Sequence, residues 1–489
     1  MQLDDSLARR HPGPNHSRLD ARGAGTKHSA VINTREPLQP MMRFLLPCCG
    51  AFLLAVSAIA QDLETIPDDP YFAKFKPRLA PRPTQLLLHK GDRLAICGDS
   101  ITEQKQYSRF METYLTACAP ELEVTVRQYG WGGEVAPGFL ARMTNDCLRF
   151  EPTIATTCYG MNDHGYGPYT QSIGDRYRRA STAIVAAFKA AGTRVVLGSP
   201  GCVSHKGEAL NLNLCELRNI DIEIAREQNV GFADVFWPML TAEREAHKRY
   251  ATNYWIAGGD GVHPAGAGHL VMAYAFLKGL GLNGDIGTFT IDLEGRKADA
   301  SAGHAVVSSK DGAYQFKSTR YPFCATGDKT KDTSIRSGMS LVPFGKELNR
   351  LVLVGTHGGS KNYKVTWSRD STAGPAAKQA PRGPGLAAAP AAARTWSKTF
   401  SAEQLAKGVN LAEEFEMNPF SEAFAAVDAA VAAKQNYETH QIKEIFHGPE
   451  FKAETKAMLA LTERIRTPLA TAIKTAFVPV THTIWIEEE

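Results

Sequence analysis

Leu94-Ala95-Ile96-Cys97-Gly98-Asp99-Ser100-Ile101-Thr102 decides the fold of this chain. Four apolar residues in a row, closed by a glycine, read as a strand buried on both faces. A serine on the strand-to-helix turn that follows is well placed to act as a nucleophile. Outward from this stretch the pattern alternates. Strand-like runs fall at 94–97, 124–129, 154–159, 195–198 and 231–235, and helical patterns at 103–117, 136–149, 172–191, 211–228 and 266–281. Such alternation predicts an α/β domain, a parallel sheet covered by helices. Right-handed crossovers then bring every strand C-terminus to one edge of the sheet.

Polar motifs follow several of these strands. Gly132-Gly133 lies after the second, Gly160-Met161-Asn162-Asp163 after the third, and Asp260-Gly261-Val262-His263-Pro264 in a late loop. Each alone reads equally as a turn or a helix N-cap. The four blocks in this order resemble those of the SGNH (GDSL-type) esterase/lipase superfamily, over about residues 90–283. The resemblance implies a flavodoxin-like three-layer sandwich with a five-stranded parallel sheet in the order 2-1-3-4-5. Ser100 matches the nucleophile, and Asp260 and His263 match the other two triad members. Asn162 matches the side-chain donor to the oxyanion, which the Ser100 N–H would share. The family commonly has Gly-Asp where this chain has Trp131-Gly132-Gly133-Glu134. Aligning Glu134 with that Asp makes Gly133 the third donor, with Gly132 one register away.

The chemistry requires these residue types. A neutral serine needs a base within hydrogen-bond reach. His263 would take the proton on one ring nitrogen while Asp260 holds the other. Pro264 disfavours the helical conformation at His263, so the base stands on an extended segment. Asp99 and Asp163 are expected to brace loops, and Thr102 and Glu103 to serve the N-terminus of the next helix. His205 falls in a polar loop, and His269 is expected to face a helix or solvent.

Composition bounds the class. With 489 residues and 43% apolar content the chain can hold several packed domains. A net charge of +4, without a basic tract interleaved with aromatics, excludes a nucleic-acid reading. Arg43, the apolar run 44–56 and Ala58-Ile59-Ala60 before Gln61 read as a signal peptide over 42–60, too short to span a membrane. Met41 and Met42 stand directly upstream of Arg43, so translation is expected to start at one of them. Residues 1–41 are then a disordered leader or a gene-model extension. Secretion, or export to the periplasm, follows. Cys202 with Cys215, which bracket a loop-like stretch, and Cys118 with Cys147, near helix ends, are the disulfide pairs that the pattern suggests. The odd total of seven beyond Gln61 leaves at least one free thiol. No spacing resembles a metal site, and the mechanism implied needs no cofactor.

The remaining organisation is expected as a Pro-rich arm at 61–90, the catalytic domain at 91–284 and a β-rich module at 285–400. An Ala/Pro-rich insertion occupies 371–395, and 401–489 forms a helical C-terminal region. Within that region, Ser401 and Gln404 form a capping box. Trp131, Tyr159, His164, Tyr166, Tyr169 and Trp255 crowd the expected mouth. Trp131, His164, Tyr166 and Trp255 are the candidate substrate-lining residues, because aromatic faces stack on sugar rings. The segment 165–170 is too polar for a lipid-binding lid. The reading is therefore a secreted serine esterase for short-chain acyl esters, O-acetyl groups on carbohydrates in particular. The alternatives are a lipid or aryl ester hydrolase on the same triad, and a non-catalytic carbohydrate-binding envelope protein with an esterase fold. No nucleic acid and no membrane span after signal removal are expected among its partners.

Overall fold

The computed structural model describes residues 62–250, 252–369 and 395–489. The leader, the signal peptide at 42–60 and all but Thr395 of the insertion 371–395 lie outside these residues. Leu94 and Ile96 are buried in one apolar layer, and Ala95 and Cys97 in another. A strand covered on both faces belongs in a parallel sheet between helices. That sheet is formed by β1 (Arg93–Gly98), β2 (Thr125–Gly130), β3 (Ile154–Cys158), β4 (Arg194–Gly198) and β5 (Gly231–Ala233). Its order is β2-β1-β3-β4-β5, all parallel, as expected.

Seven helices accompany it: α1 (Ser100–Glu103), α2 (Tyr107–Ala117), α3 (Ala136–Asp146), α4 (Gln171–Ala190), α5 (Glu208–Gln228), α6 (Phe236–Arg249) and α7 (Gly266–Gly279). Phe139, Ile184, Phe188 and Leu217 of α3, α4 and α5 cover Ala95, Cys97 and Leu197. Phe110, Met111, Leu270 and Phe276 of α2 and α7 cover Leu94, Ile96 and Val196 on the other side. In the register, Gly98 pairs with Gly130 of β2 and with Cys158 of β3. Three strands thus end level, which is what places the site. Residues before β1 pack on this domain: Phe72 and Phe75 are buried against Trp237 and Phe236.

Beyond α7 come two further sheets. One has the order β13-β10-β6-β7, from β6 (Asp285–Asp292), β7 (Lys297–Ala300), β10 (Arg350–Thr356) and β13 (Val409–Asn410). The other has the order β12-β11-β14-β9-β8, from β8 (His304–Lys310), β9 (Ala313–Ser318), β11 (Asn362–Arg369), β12 (Thr395–Ser401) and β14 (Val480–Glu488). Phe289 of the first sheet meets Phe316 and His482 of the second, with ring centres 4.4 and 5.3 Å apart. The Ser401 and Gln404 capping box is present. Helices Ser421–His440 and Thr455–Ala476 form a hairpin, and β14 then returns to the middle of a sheet.

The seven cysteines among the described residues are all free and buried, which corrects the suggested disulfide pairs. Cys118 belongs to the apolar layer on the α2 side and Cys147 to that on the α3 side, so the sheet separates them. Cys202 and Cys215 pack as small apolar groups.

Candidate active site

The turn from β1 into α1 is built by close contact. Asp99 is extended and its Oδ1 accepts the Ile101 N–H at 3.0 Å, capping α1 so that Ser100 opens the helix. A Cβ on Gly98 would collide with Thr102 Oγ1 and stand 2.9 Å from the Cys158 carbonyl. Only glycine lets β1, β3 and α1 meet there. Burial raises the Asp99 pKa to about 7, with Asp163 and Glu134 adding to the shift.

Ser100 Oγ lies 2.9 Å from His263 Nε2, and His263 Nδ1 lies 2.6 Å from Asp260 Oδ2. The carboxylate facing Nδ1 assigns the ring proton there, so the Nε2 lone pair faces the serine hydroxyl. Asp260 Oδ1 accepts the backbone N–H groups of His263 and Val262 at 2.8 and 2.9 Å. Partial burial pushes the Asp260 pKa up, but these backbone bonds and the ring outweigh it and hold it at about 2. Asp260 is therefore an anion at neutral pH.

The loop that carries this pair is latched from below. Glu243 Oε2 accepts the Ile256 N–H at 2.9 Å and the Ser204 hydroxyl. Ser204 Oγ in turn accepts the Ala257 N–H at 2.9 Å, and Ser204 N–H donates to the Gly261 carbonyl at 3.1 Å. Glu243 and Ser204 are buried, and burial raises the Glu243 pKa to about 7.

Across the sheet edge, Trp131 N–H donates to the Gly98 carbonyl at 3.0 Å, and Glu134 N–H to the Trp131 carbonyl at 3.2 Å. Gly132 and Gly133 form the exposed turn between them, Gly133 with φ +71°. Asn162 Nδ2 donates to the Glu134 carbonyl at 3.0 Å, leaving a second amide hydrogen, while its Oδ1 accepts from the Tyr166 hydroxyl at 3.1 Å. The Glu134 carboxylate is held by Arg142 at 2.6 and 2.7 Å and by the Tyr159 hydroxyl at 2.9 Å. Asp163 accepts the N–H groups of Ala136 and Gly160, each at 3.0 Å, and ties the start of α3 to the Asn162 loop. Burial raises its pKa to about 6.

The aromatic candidates are placed differently from one another. Tyr166 is 49% exposed, whereas His164 beneath it is fully buried, with ring centres 4.6 Å apart. Tyr166 therefore presents the open face. Trp131 is half-buried against His447, and Trp255 against His205 and His247. Of the two expectations for His269, a helix or solvent, the first fits: it is fully buried, its ring stacked 6.2 Å from that of Tyr107 on α2. Its Nε2 donates to Gln104 Oε1 at 2.7 Å, and burial lowers its pKa to about 3. Glu103 ends α1 and pairs with Lys443, from a part of the chain that no sequence motif singled out. Among the described residues no group of three or more His, Cys, Asp or Glu is placed to hold a metal ion.

Residues 96–271, little more than a third of the chain, match the family model of the GDSL-like lipases/acylhydrolases, and this segment is the SGNH/GDSL hydrolase part of the molecule. The class is that of carboxylic ester hydrolases. Among particular proteins, an acetylxylan esterase of Geobacillus stearothermophilus is 25% identical over 215 residues, covering 39% of this chain and 94% of the relative. A crystal structure of an acetylxylan esterase from that organism superposes with a TM-score of 0.36 at 24% identity, over 40% of this chain and 97% of the other. A gut microbial diltiazem-metabolizing enzyme shares the fold more widely, with a TM-score of 0.62 at 20% identity over 84% of this chain and 99% of that one. Among the described residues no helix is long and apolar enough to cross a membrane.

Proposed function

We propose that this protein is a secreted or periplasmic serine esterase that removes O-acetyl groups from carbohydrates through a Ser100–His263–Asp260 triad. The observation that carries the reading is the unbroken chain from Ser100 Oγ to His263 at 2.9 Å and from His263 to Asp260 at 2.6 Å. Ser100 Oγ attacks the ester carbonyl as its proton passes to His263 Nε2. The oxyanion is met by the N–H groups of Ser100 and Gly133 and by the second hydrogen of Asn162 Nδ2. Such donors are worth about 3–4 kcal/mol each in the transition state. His263 then protonates the departing alcohol, and the acyl group stays on Ser100. Water, deprotonated by the same imidazole, attacks this acyl-enzyme and releases the acid. Asp260 remains ionised throughout and stabilises the imidazolium.

Carbohydrate as the alcohol half is supported by the acetylxylan esterase relative and by Tyr166 on the Asn162 loop, Trp131 at the glycine turn and Trp255 in the loop before Asp260. Export is supported by the signal-peptide pattern at 42–60. The test is hydrolysis of p-nitrophenyl acetate, butyrate and octanoate, and acetate release from acetylated xylan, beside a Ser100→Ala control. The reading expects acetate to be preferred and all turnover to vanish in the control. A preference for octanoate would favour a lipid ester hydrolase. Turnover that survives Ser100→Ala would remove the serine mechanism.

A further inference from the structure

The C-terminal hairpin reaches the rim of this site. Helix Ser421–His440 is locked onto α2 and β2 by buried polar contacts. Lys434 Nζ meets Glu112 Oε1 at 2.9 Å, Glu438 Oε1 at 3.0 Å and the Val126 carbonyl at 2.5 Å, and Arg466 closes on Glu438 at 2.6 Å. Ser108 Oγ donates to Gln435 Oε1, and Gln435 Nε2 donates to Glu112 Oε2, both at 2.8 Å. Breaking any one of these contacts would strand a buried charge or amide, so a single docked geometry is favoured. At the end of the helix the backbone widens into a π-helical turn, Gln441–Ile445, a feature concentrated at functional sites.

That turn carries Lys443 to the glycine turn. Lys443 Nζ lies 2.6 Å from Glu103 Oε1 and 5.3 Å from the centre of the Trp131 ring. The other carboxylate oxygen, Glu103 Oε2, lies beneath Gly132, 2.8 Å from where a Cβ would stand there. Trp131 opens the same turn. One ammonium therefore holds the turn at two points, through an ion pair below it and a cation–π contact at its first residue. His447 adds a third contact, its ring 4.8 Å from that of Trp131 and its Nε2 2.9 Å from the buried Asp146.

We propose that Lys443 is a positioning residue for the Trp131–Gly133 turn, so that the C-terminal hairpin is part of the active site rather than an appendage. This rests on the reading that the turn supplies an oxyanion donor. Lys443 touches no reacting atom; it acts through Glu103 and Trp131.

The test compares Lys443→Met and Lys443→Arg in the full chain, by kinetics on p-nitrophenyl acetate and by amide hydrogen exchange. In Lys443→Met, kcat should fall about tenfold with KM within twofold, and exchange at 130–134 should quicken about tenfold while β3 is unchanged. Lys443→Arg should restore both. Unchanged exchange at the turn in Lys443→Met would overturn the proposal. So would loosening spread over β2 and the whole hairpin that Arg does not rescue, since Lys443 would then only dock the helix. A wild-type protein without Ser100-dependent turnover would sink the esterase reading instead, and the exchange data alone would then decide on the clamp.

Discussion

The Tyr166 hydroxyl donates to Asn162 Oδ1 at 3.1 Å and so fixes the rotation of the Asn162 amide. Tyr166 does this from a left-handed backbone, φ +53°, directly after Gly165 at φ +66°. A side-chain-bearing residue held there costs on the order of 1 kcal/mol or more, so the contact is built at some expense. Tyr166→Phe should lower kcat/KM on p-nitrophenyl acetate by roughly fivefold, the worth of one neutral hydrogen bond. Asn162→Ala should cost on the order of 100-fold or more in kcat. Equal, small losses in both variants would show that Asn162 is not a donor to the oxyanion.

Asp260 fixes the tautomer of His263 as well as its orientation. Asp260→Asn would place an amide against Nδ1 and favour the proton on Nε2, where it blocks transfer from Ser100. A fall in kcat on the order of 10⁴ is expected, with the fold intact by circular dichroism. A loss below tenfold would mean that the carboxylate is dispensable for the base.

Glu243 tests the latch under the histidine loop. Glu243→Ala leaves the Ile256 N–H and the Ser204 hydroxyl without their acceptor and should cost about 1–3 kcal/mol in urea unfolding. Because Ser204 also holds Gly261 and Ala257, kcat should drop at temperatures where the variant is still folded. Glu243→Gln keeps an acceptor and should lose much less. Full activity in folded Glu243→Ala would assign the latch to stability alone.

A buried relay in the second sheet gives a pH dependence. Trp367 Nε1–H donates to His482 Nδ1 at 3.0 Å, so His482 Nε2–H donates to Ser318 Oγ at 2.9 Å. The Ser318 hydroxyl then donates to His304 Nδ1 at 2.8 Å, and His304 Nε2–H to the Ile286 carbonyl at 3.0 Å. Burial, with His304 beside it, lowers the His482 pKa to about 3. Between that value and the ordinary 6.5 the unfolded chain binds the extra proton, so this contribution is full above pH 6.5 and is lost as pH falls toward 3. Asp99, Asp163 and Glu243, with raised pKa values, act in the opposite sense, so the wild-type curve alone is a mixture. The stability gap between wild type and His482→Gln isolates the histidine. It should narrow by about 1.4 kcal/mol per pH unit below 6.5. A gap constant from pH 7 to 4.5 would place a protonated or solvated His482 in the fold.

The parts legible in the sequence were those written in local pattern. The run Leu94–Cys97 has no polar alternation because both its faces are covered, and Gly98, which closes it, marks where α1 presses on the sheet. The distance from Ser100 to His263 could be anticipated only from the superfamily resemblance, since nothing local to either residue names the other. Long-range structure was less legible. Val480, His482, Ile484 and Ile486 are buried on one face of β14, a period-2 pattern easily absorbed into the helical stretch before it. Helix α6 carries Pro238 in its first turn, where proline is tolerated yet reads as a breaker. Lys443 follows no motif at all. Its place at the site comes from the docking of a helix onto strand β2, more than 300 residues earlier in the chain.

The placement of β14 also sets an order of events during synthesis. β9 and β11 flank it, so until β14 has been made both present open inner edges. Such edges invite pairing with other chains. The sheet can close only once translation has passed the helical hairpin, and this makes its folding a late, non-local and therefore slow step. The inner edges of β9 and β11 are thereby the ones that stay unpaired until β14 arrives between them.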